Sequence, residues 1–166
     1  MKADKFKVAL MLGGNLGDTL ENFGEAIKHL VKRIGKTSQV SKVYFSEPWG
    51  KADQPVFMNQ ALILESTCTP GQLLEEIRLI ENFMGRFKTE VNGPRLIDID
   101  VLLMDDLVYK DEDLEIPHPR LHLRNFNLVP LAEISPDWLH PELKKTIATL
   151  RDECEDTLKV YEVDEH

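Results

Sequence analysis

Residues 95–104 read RLIDIDVLLM, and no other stretch limits the fold as much. Ile97, Ile99, Val101, Leu102 and Leu103 make it a β-strand rich in branched and apolar side chains. It is far shorter than the roughly 20 apolar residues that a membrane span needs. Yet Asp98 and Asp100 stand inside it. Side chains alternate faces along a strand, so these two carboxylates share a face, with Cα atoms about 6–7 Å apart. Ile97, Ile99 and Val101 turn the other way, into a core. Aspartate is disfavoured in strands, and a carboxylate without a partner in a low-dielectric place is costly. The chain must therefore fold into a sheet with one face packed at this strand. The other face meets either water or a cation. Two neighbouring carboxylates repel when both are ionised, and a hard divalent cation removes that repulsion.

The rest of the chain supplies strands and helices in alternation. Residues 6–12, FKVALML, read as a central strand, followed by the turn GGNLGD. Asp18 with Glu21 forms a capping pair for a helix whose apolar stripe is Leu20, Phe23, Ile27, Leu30, Val31 and Ile34, with Gly35 as its stop. Residues 38–45 alternate like a single strand, SEPWGKADQP is a loop, and VFMNQALILE pairs back as a second strand. Thr69, Pro70 and Gln72 start a helix with the stripe Leu73, Leu74, Ile77, Ile80, Phe83 and Met84, ending at Gly85. A polar, basic loop precedes the Asp98 strand. Short strands are expected near 107–109 and 113–116, and a short helix interrupted at Pro130 in NLVPLAEIS. A further helix is expected over PELKKTIATLRDE, and a last strand in TLKVYEV. This order predicts a layered sheet protein in one domain over residues 1–166.

The net charge of −9 argues against a general nucleic-acid binder, which needs a basic footprint, but leaves room for a small phosphorylated ligand held by a few arginines. The N-terminal segment, with Gly13, Gly14 and Asn15 following its apolar residues at once, reads as a strand and not as an export signal, so the cytoplasm is the expected location. No segment reads as a membrane span. Cys68 and Cys154 lack metal-type spacing and are read as ordinary thiols.

Candidate site residues gather around the aspartates. Asn92-Gly93-Pro94 is a turn that places Arg95 at the entrance of the strand, three residues from Asp98. A cationic fork beside a divalent-ion site suits a polyphosphate. Arg86 and Lys88 are either solvated surface charge or part of a basic loop that closes on phosphates. Arg120 and Arg124 flank His122, which favours an anion site in so acidic a chain. His118 and His122 have helical metal-pair spacing, but Pro117 and Pro119 bracket His118 and argue against a helix and against zinc. His118 is better read as a hydrogen-bond donor to phosphate. Asn59 is either a satisfied buried amide or a reader of a heterocycle edge. Phe57 and Phe126 are core aromatics or stacking partners for a flat ring. GGNLGD lacks the spacing of a Walker A loop or a dinucleotide fingerprint.

Taken together, GGNLGD, SEPWGKADQPVFMNQ, NGPRLIDIDVLLMDD and IPHPRLHLRNFNLVPL resemble, in order and spacing, the 6-hydroxymethyl-7,8-dihydropterin pyrophosphokinase family, from about residue 6 to about residue 150. The resemblance implies an α+β fold with a ferredoxin-like core, a mainly antiparallel sheet covered by helices. It implies transfer of the pyrophosphoryl group of ATP to the hydroxymethyl oxygen of the pterin, with release of AMP, in folate biosynthesis. By the motif match, Asp98 and Asp100 would hold two Mg²⁺ ions. Arg95 and His118 would contact the ATP phosphates, with Arg124 anchoring the nucleotide or the transferring group. Arg86 would be the loop arginine that approaches the phosphates, and Lys88 takes the place of a second loop arginine. Asn59 would hydrogen-bond the pterin, Phe126 and Phe57 would flank it, and the backbone around Ser46 and Trp49 would complete its pocket.

The chain departs from the family pattern at Asn92, where a tryptophan is frequent, and at Asp113 and Glu115, where an arginine and a threonine occur. A monomer acting on small molecules, without nucleic acid or membrane, is expected. Two rivals stand beside this reading. One is a non-catalytic module on the same fold, distinguished by ATP calorimetry with and without Mg²⁺. The other is a different phosphoryl or nucleotidyl transferase, distinguished by whether AMP or ADP is released.

Overall fold

The computed structural model describes residues 5–46, 56–85 and 96–163. Its centre is an antiparallel sheet. Strand β1 (Phe6–Gly14) leads into helix α1 (Thr19–Arg33), followed by β2 (Gly35–Val40), β3 (Tyr44–Ser46) and β4 (Phe57–Ser66). Helix α2 (Pro70–Phe83), β5 (Asp98–Met104), a two-stranded ribbon of β6 (Tyr109–Lys110) and β7 (Glu115–Ile116), helices α3 (Asn125–Ile134) and α4 (Ile147–Glu153), and β8 (Val160–Glu162) complete the order. The sheet runs β5-β1-β4-β3-β8, with β2 also paired to β4. Counting β2 and β3 as one interrupted strand, the order of the first four positions is that of a ferredoxin-like βαββαβ core, as expected.

Helix starts follow their local chemistry. Asp18 accepts a hydrogen bond from the Glu21 N–H at 3.2 Å. Thr69 and Gln72 form the reciprocal capping box, with Pro70 in the first helical turn. Two separate cores then form on the two faces of the sheet. On one, Val8, Leu10, Leu12, Ile97, Ile99 and Val101 meet Phe23 and Leu30 of α1 and Leu73, Ile77 and Ile80 of α2. On the other, Ala9, Met11, Ala61, Leu102 and Leu103 meet Leu128 and Leu131 of α3, Ile147 and Leu150 of α4, and Trp138. Each fully buried aliphatic side chain contributes about 1.5–3 kcal/mol. A bulge lets two successive leucines of β5 enter the second core. Leu10 pairs with Val101 but Ala9 with Leu103, so Leu102 is the extra residue.

Several expectations are corrected. Residues 38–45 are not one strand: β2 and β3 are separate, with Ser41 between them accepting from the Ala61 N–H through its hydroxyl at 2.9 Å. Gly35 does not stop α1 but opens β2, and its lack of a side chain answers a close approach of β4. Helix α3 runs through Pro130 without interruption, because burial of Leu128, Pro130, Leu131 and Ala132 offsets one lost N–H bond. The helix expected over PELKKTIATLRDE is confined to Ile147–Glu153. Its upstream half is a turn in which the His140 Nδ1 accepts from the Glu142 and Leu143 N–H groups at 3.2 and 3.1 Å. Phe83 is 76% exposed and leaves the α2 stripe to set its ring edge-on to His29 of α1. Leu20 and Val31 are likewise exposed.

Candidate active site

The register aligns Asp98 and Asn59, two of the sequence-predicted residues, in one row. Asp98 of β5 pairs with Gly13 of β1, Gly13 with Asn59 of β4, and Asn59 with Tyr44 of β3. Residues opposite one another in an antiparallel ladder share a face. Asp100 pairs with Met11, which lies in the α3–α4 core, so the whole row looks toward α3. Ser46 pairs with Phe57 one step further out and faces the same side. Asp98, Asp100, Asn59, Phe57 and Ser46 therefore lie on one face at one end of the sheet. Gly13 keeps the middle of this row open: a Cβ there would come within 3.2 Å of the Asn59 amide nitrogen. Asn59 is buried, and its Nδ2 donates to the Leu12 carbonyl at 3.4 Å, which leaves the amide oxygen for a ligand's donors.

The N-terminus of α3 covers this end. Arg124 is its N-cap residue, with its guanidinium 5.3 Å from the Phe126 ring centre. The Asp156 carboxylate accepts from the Asn125 N–H at 2.9 Å, and the Asp156 carbonyl accepts from the Asn125 side-chain amide at 2.9 Å. These two bonds hold the first turn of α3. Burial and the neighbouring Arg120 lower the Arg124 pKa, while Asp100 and Asp156 oppose that shift. Arg124 thus senses the field of Asp100 across the site.

His118 reaches the site through the backbone. Its N–H donates to the Leu102 carbonyl on β5 at 2.9 Å. Its Nδ1 accepts from the Arg120 N–H at 3.1 Å. An accepting Nδ1 leaves the proton of neutral imidazole on Nε2, which becomes a donor. Burial, reinforced by Arg124 and Arg120, pushes the His118 pKa down to about 4, so the ring is neutral at physiological pH. His122 goes elsewhere. Its ring stands edge-on to His140 at 6.3 Å, and it lines a separate cavity of about 600 Å³ with Cys154 and Thr157. The structure does not join it to His118.

A cleft of about 440 Å³ opens beside β5, lined by Leu74, Ile99, Asp100, Asp113, Glu115 and His118 among others. Its wall is acidic, and several of its charges are engaged. Asp111 accepts from the Tyr109 hydroxyl at 2.6 Å and from the Asp113 and Leu114 N–H groups at 2.8 Å. Asp113 pairs with Arg78 at 3.5 Å and Glu115 with Lys110 at 3.7 Å. Trp49, Arg86, Lys88, Asn92 and Arg95 lie outside the described residues.

Glu81 escaped the sequence reading. It is 8% exposed on α2, and its carboxylate accepts from the Ile99 N–H, between the two aspartates, at 2.9 Å. The signal was present: Glu81 lies four residues after Ile77, an apolar-stripe position where a charge is out of place.

Among the described residues no group of three or more His, Cys, Asp or Glu could hold a metal. The donor set is instead two carboxylates on one face at the edge of a cleft. That fits Mg²⁺, which takes one or two protein carboxylates and completes its shell with phosphate oxygens and water.

Comparison with known proteins settles the family. Residues 9–136 match the model of 7,8-dihydro-6-hydroxymethylpterin-pyrophosphokinase, HPPK. The chain belongs to the HPPK family. It is 37% identical to the 2-amino-4-hydroxy-6-hydroxymethyldihydropteridine pyrophosphokinase of Aquifex aeolicus, over 93% of this chain and 94% of the relative. The folic acid synthesis protein FOL1 of Dictyostelium discoideum is 42% identical over 84% of this chain, which spans only 21% of that longer protein. The fol1 protein of Schizosaccharomyces pombe is also 42% identical, and the match covers 19% of it. In fold, the chain is similar to the crystal structure of Plasmodium falciparum HPPK-DHPS with pteroate, with a TM-score of 0.73 at 18% identity, covering 92% of this chain and 43% of that one.

Proposed function

We propose that this chain transfers the pyrophosphoryl group of ATP to the hydroxymethyl oxygen of 6-hydroxymethyl-7,8-dihydropterin and releases AMP, a step of folate synthesis. The observation that carries this reading is the single row Asp98, Gly13 and Asn59, with Arg124 in the field of the adjacent Asp100. It sets a carboxylate pair suited to Mg²⁺-bound phosphates beside an amide suited to a heterocycle.

The hydroxymethyl oxygen attacks the β-phosphorus of ATP. The bond from that phosphorus to the oxygen bridging it to the α-phosphate breaks, AMP carries the electron pair away, and the hydroxyl proton passes to solvent. Catalysis of such a transfer is mostly positioning and charge neutralisation. Asp98 and Asp100 would hold two Mg²⁺ ions, which would supply charge neutralisation at the triphosphate and a lower pKa for the attacking hydroxyl. Asn59 fixes the pterin edge, and Phe126 and Phe57 flank its ring. Ser46, with Trp49, closes the pocket wall. Neutral His118 donates Nε2–H to a phosphate oxygen, and Arg124 supplies a permanent cation near Asp100. Arg86, Arg95 and Lys88 act from the segment before β5 as phosphate-binding cations.

We further place the reaction in one domain spanning residues 1–166, monomeric and cytoplasmic, where the free Cys68 and Cys154 stay reduced. Among the described residues no helix is long and apolar enough to cross a membrane.

Mixing the protein with the pterin, ATP and Mg²⁺ and resolving the nucleotides tests this reading. AMP that forms only with all three supports it. ADP in place of AMP overturns it in favour of simple phosphoryl transfer.

A further inference from the structure

Among the described residues, the strand that carries the aspartate pair is the outermost of the sheet on its side. Its inner edge is laddered to β1, and among the described residues no other strand pairs with its outer edge. Among the described residues, contacts on either side of Asp100 secure that outer edge. The His118 N–H donates to the Leu102 carbonyl at 2.9 Å, and the Glu81 carboxylate accepts from the Ile99 N–H at 2.9 Å. The second contact falls on the residue between the two aspartates. Asp98 is the first residue of β5, and strand ends open most easily.

Glu81 is a costly way to make such a contact. A carboxylate at 8% exposure gives up most of its hydration, and burying it is unfavourable unless its hydrogen bonds offset the loss. A charged acceptor, however, makes a stronger bond to an N–H than a neutral one does. It also comes from α2, a helix anchored by Leu73, Ile77 and Ile80 in the core under the opposite face of the sheet. The contact therefore ties the register of the aspartates to a helix buried in that core.

We propose that Glu81 is a positioning residue of the reaction: by holding the Ile99 N–H, it fixes the spacing and direction of the Asp98 and Asp100 carboxylates. Placement errors of about 1 Å are costly in a site built on positioning. Outer partners that orient metal ligands typically change metal affinity 10–100-fold when removed. This inference rests on the assignment of Asp98 and Asp100 as the Mg²⁺ ligands.

Two conservative variants separate reach from charge. Glu81→Asp keeps the charge but falls short of Ile99 by one methylene, whereas Glu81→Gln keeps the reach and an acceptor oxygen. We expect Glu81→Asp to raise the Mg²⁺ concentration for half-maximal AMP formation about tenfold and to lower kcat, with the KM for pterin changed less than twofold. Its Ile99 amide should exchange with solvent faster. Glu81→Gln should restore both the Mg²⁺ response and the Ile99 protection to near the parent values. An unchanged Mg²⁺ response in Glu81→Asp overturns the proposal. So does a Glu81→Gln variant impaired as much as, or more than, Glu81→Asp, since charge or packing would then be the cause. Asp98→Ala and Asp100→Ala, measured beside them, isolate the underlying assignment. If those variants turn over like the parent, the metal reading fails. If they are inactive and Glu81→Asp is normal, only the positioning role fails.

Discussion

At the scale of the residue, the site depends on which state each side chain can hold. His118 is the clearest case. Its pKa is pushed down to about 4, from an ordinary value of 6.5, by burial first and by Arg124 and Arg120 second. Between those values the unfolded chain binds a proton at His118 and the folded chain does not. The stabilising contribution is therefore complete above about pH 6.5 and is lost as the pH falls toward 4. His118→Gln should flatten part of the acid-side loss of stability in urea unfolding at pH 7.5, 5.5 and 4.5; His140, lowered in the same direction, retains the rest. Identical acid slopes in the two proteins would contradict this. Prolines on both sides of His118 argued against a helical metal pair and led to its reading as a hydrogen-bond donor. The sequence did not show the tautomer, which is set by the N–H of Arg120 two residues on. Nor did it show Glu81, whose partner is 18 residues away in sequence and becomes a neighbour only when α2 docks on the sheet.

At the scale of the element, helices were legible wherever local chemistry sufficed. The Thr69 capping box and the Asp18 cap both formed as expected. Strands and irregular turns were less legible because their causes are distant. The break between β2 and β3 comes from Ser41 turning its hydroxyl to β4, and the truncated helix before α4 comes from His140 capping a turn. Gly35 shows the same difference. Its sequence context suggests a helix stop, but a Cβ at this position would collide with the Glu65 carbonyl oxygen. Neither strand can give way without losing ladder bonds. Gly35→Ala should cost about 3 kcal/mol in denaturant unfolding. A loss under about 0.5 kcal/mol would mean that β2 does not lie this close to β4.

At the scale of the whole molecule, the two faces of the sheet do different work. The face under α1 and α2 is closed along β1, β4 and β5 and holds them rigid. The face under α3 and α4 is filled over part of its area, and the end beyond the first turn of α3 is left to Asp98, Asp100 and Asn59. Alternation within RLIDIDVLLM already implied this division, since one strand sent isoleucines one way and aspartates the other. What the sequence withheld was the third dimension of the site, where Arg124 crosses from a distant helix into the field of Asp100. The net charge of −9 is no obstacle to a polyphosphate, because positive charge is concentrated at this end by Arg120 and Arg124. The central claim is that the β- and γ-phosphoryl groups leave ATP together. The most direct measurement uses ATP labelled separately at the β- and γ-phosphorus, with the pterin and Mg²⁺, and follows each label into the pterin product. The account predicts that both labels arrive in equal amounts and that unlabelled AMP remains. A product carrying the γ label alone, with the β label left in ADP, would contradict it.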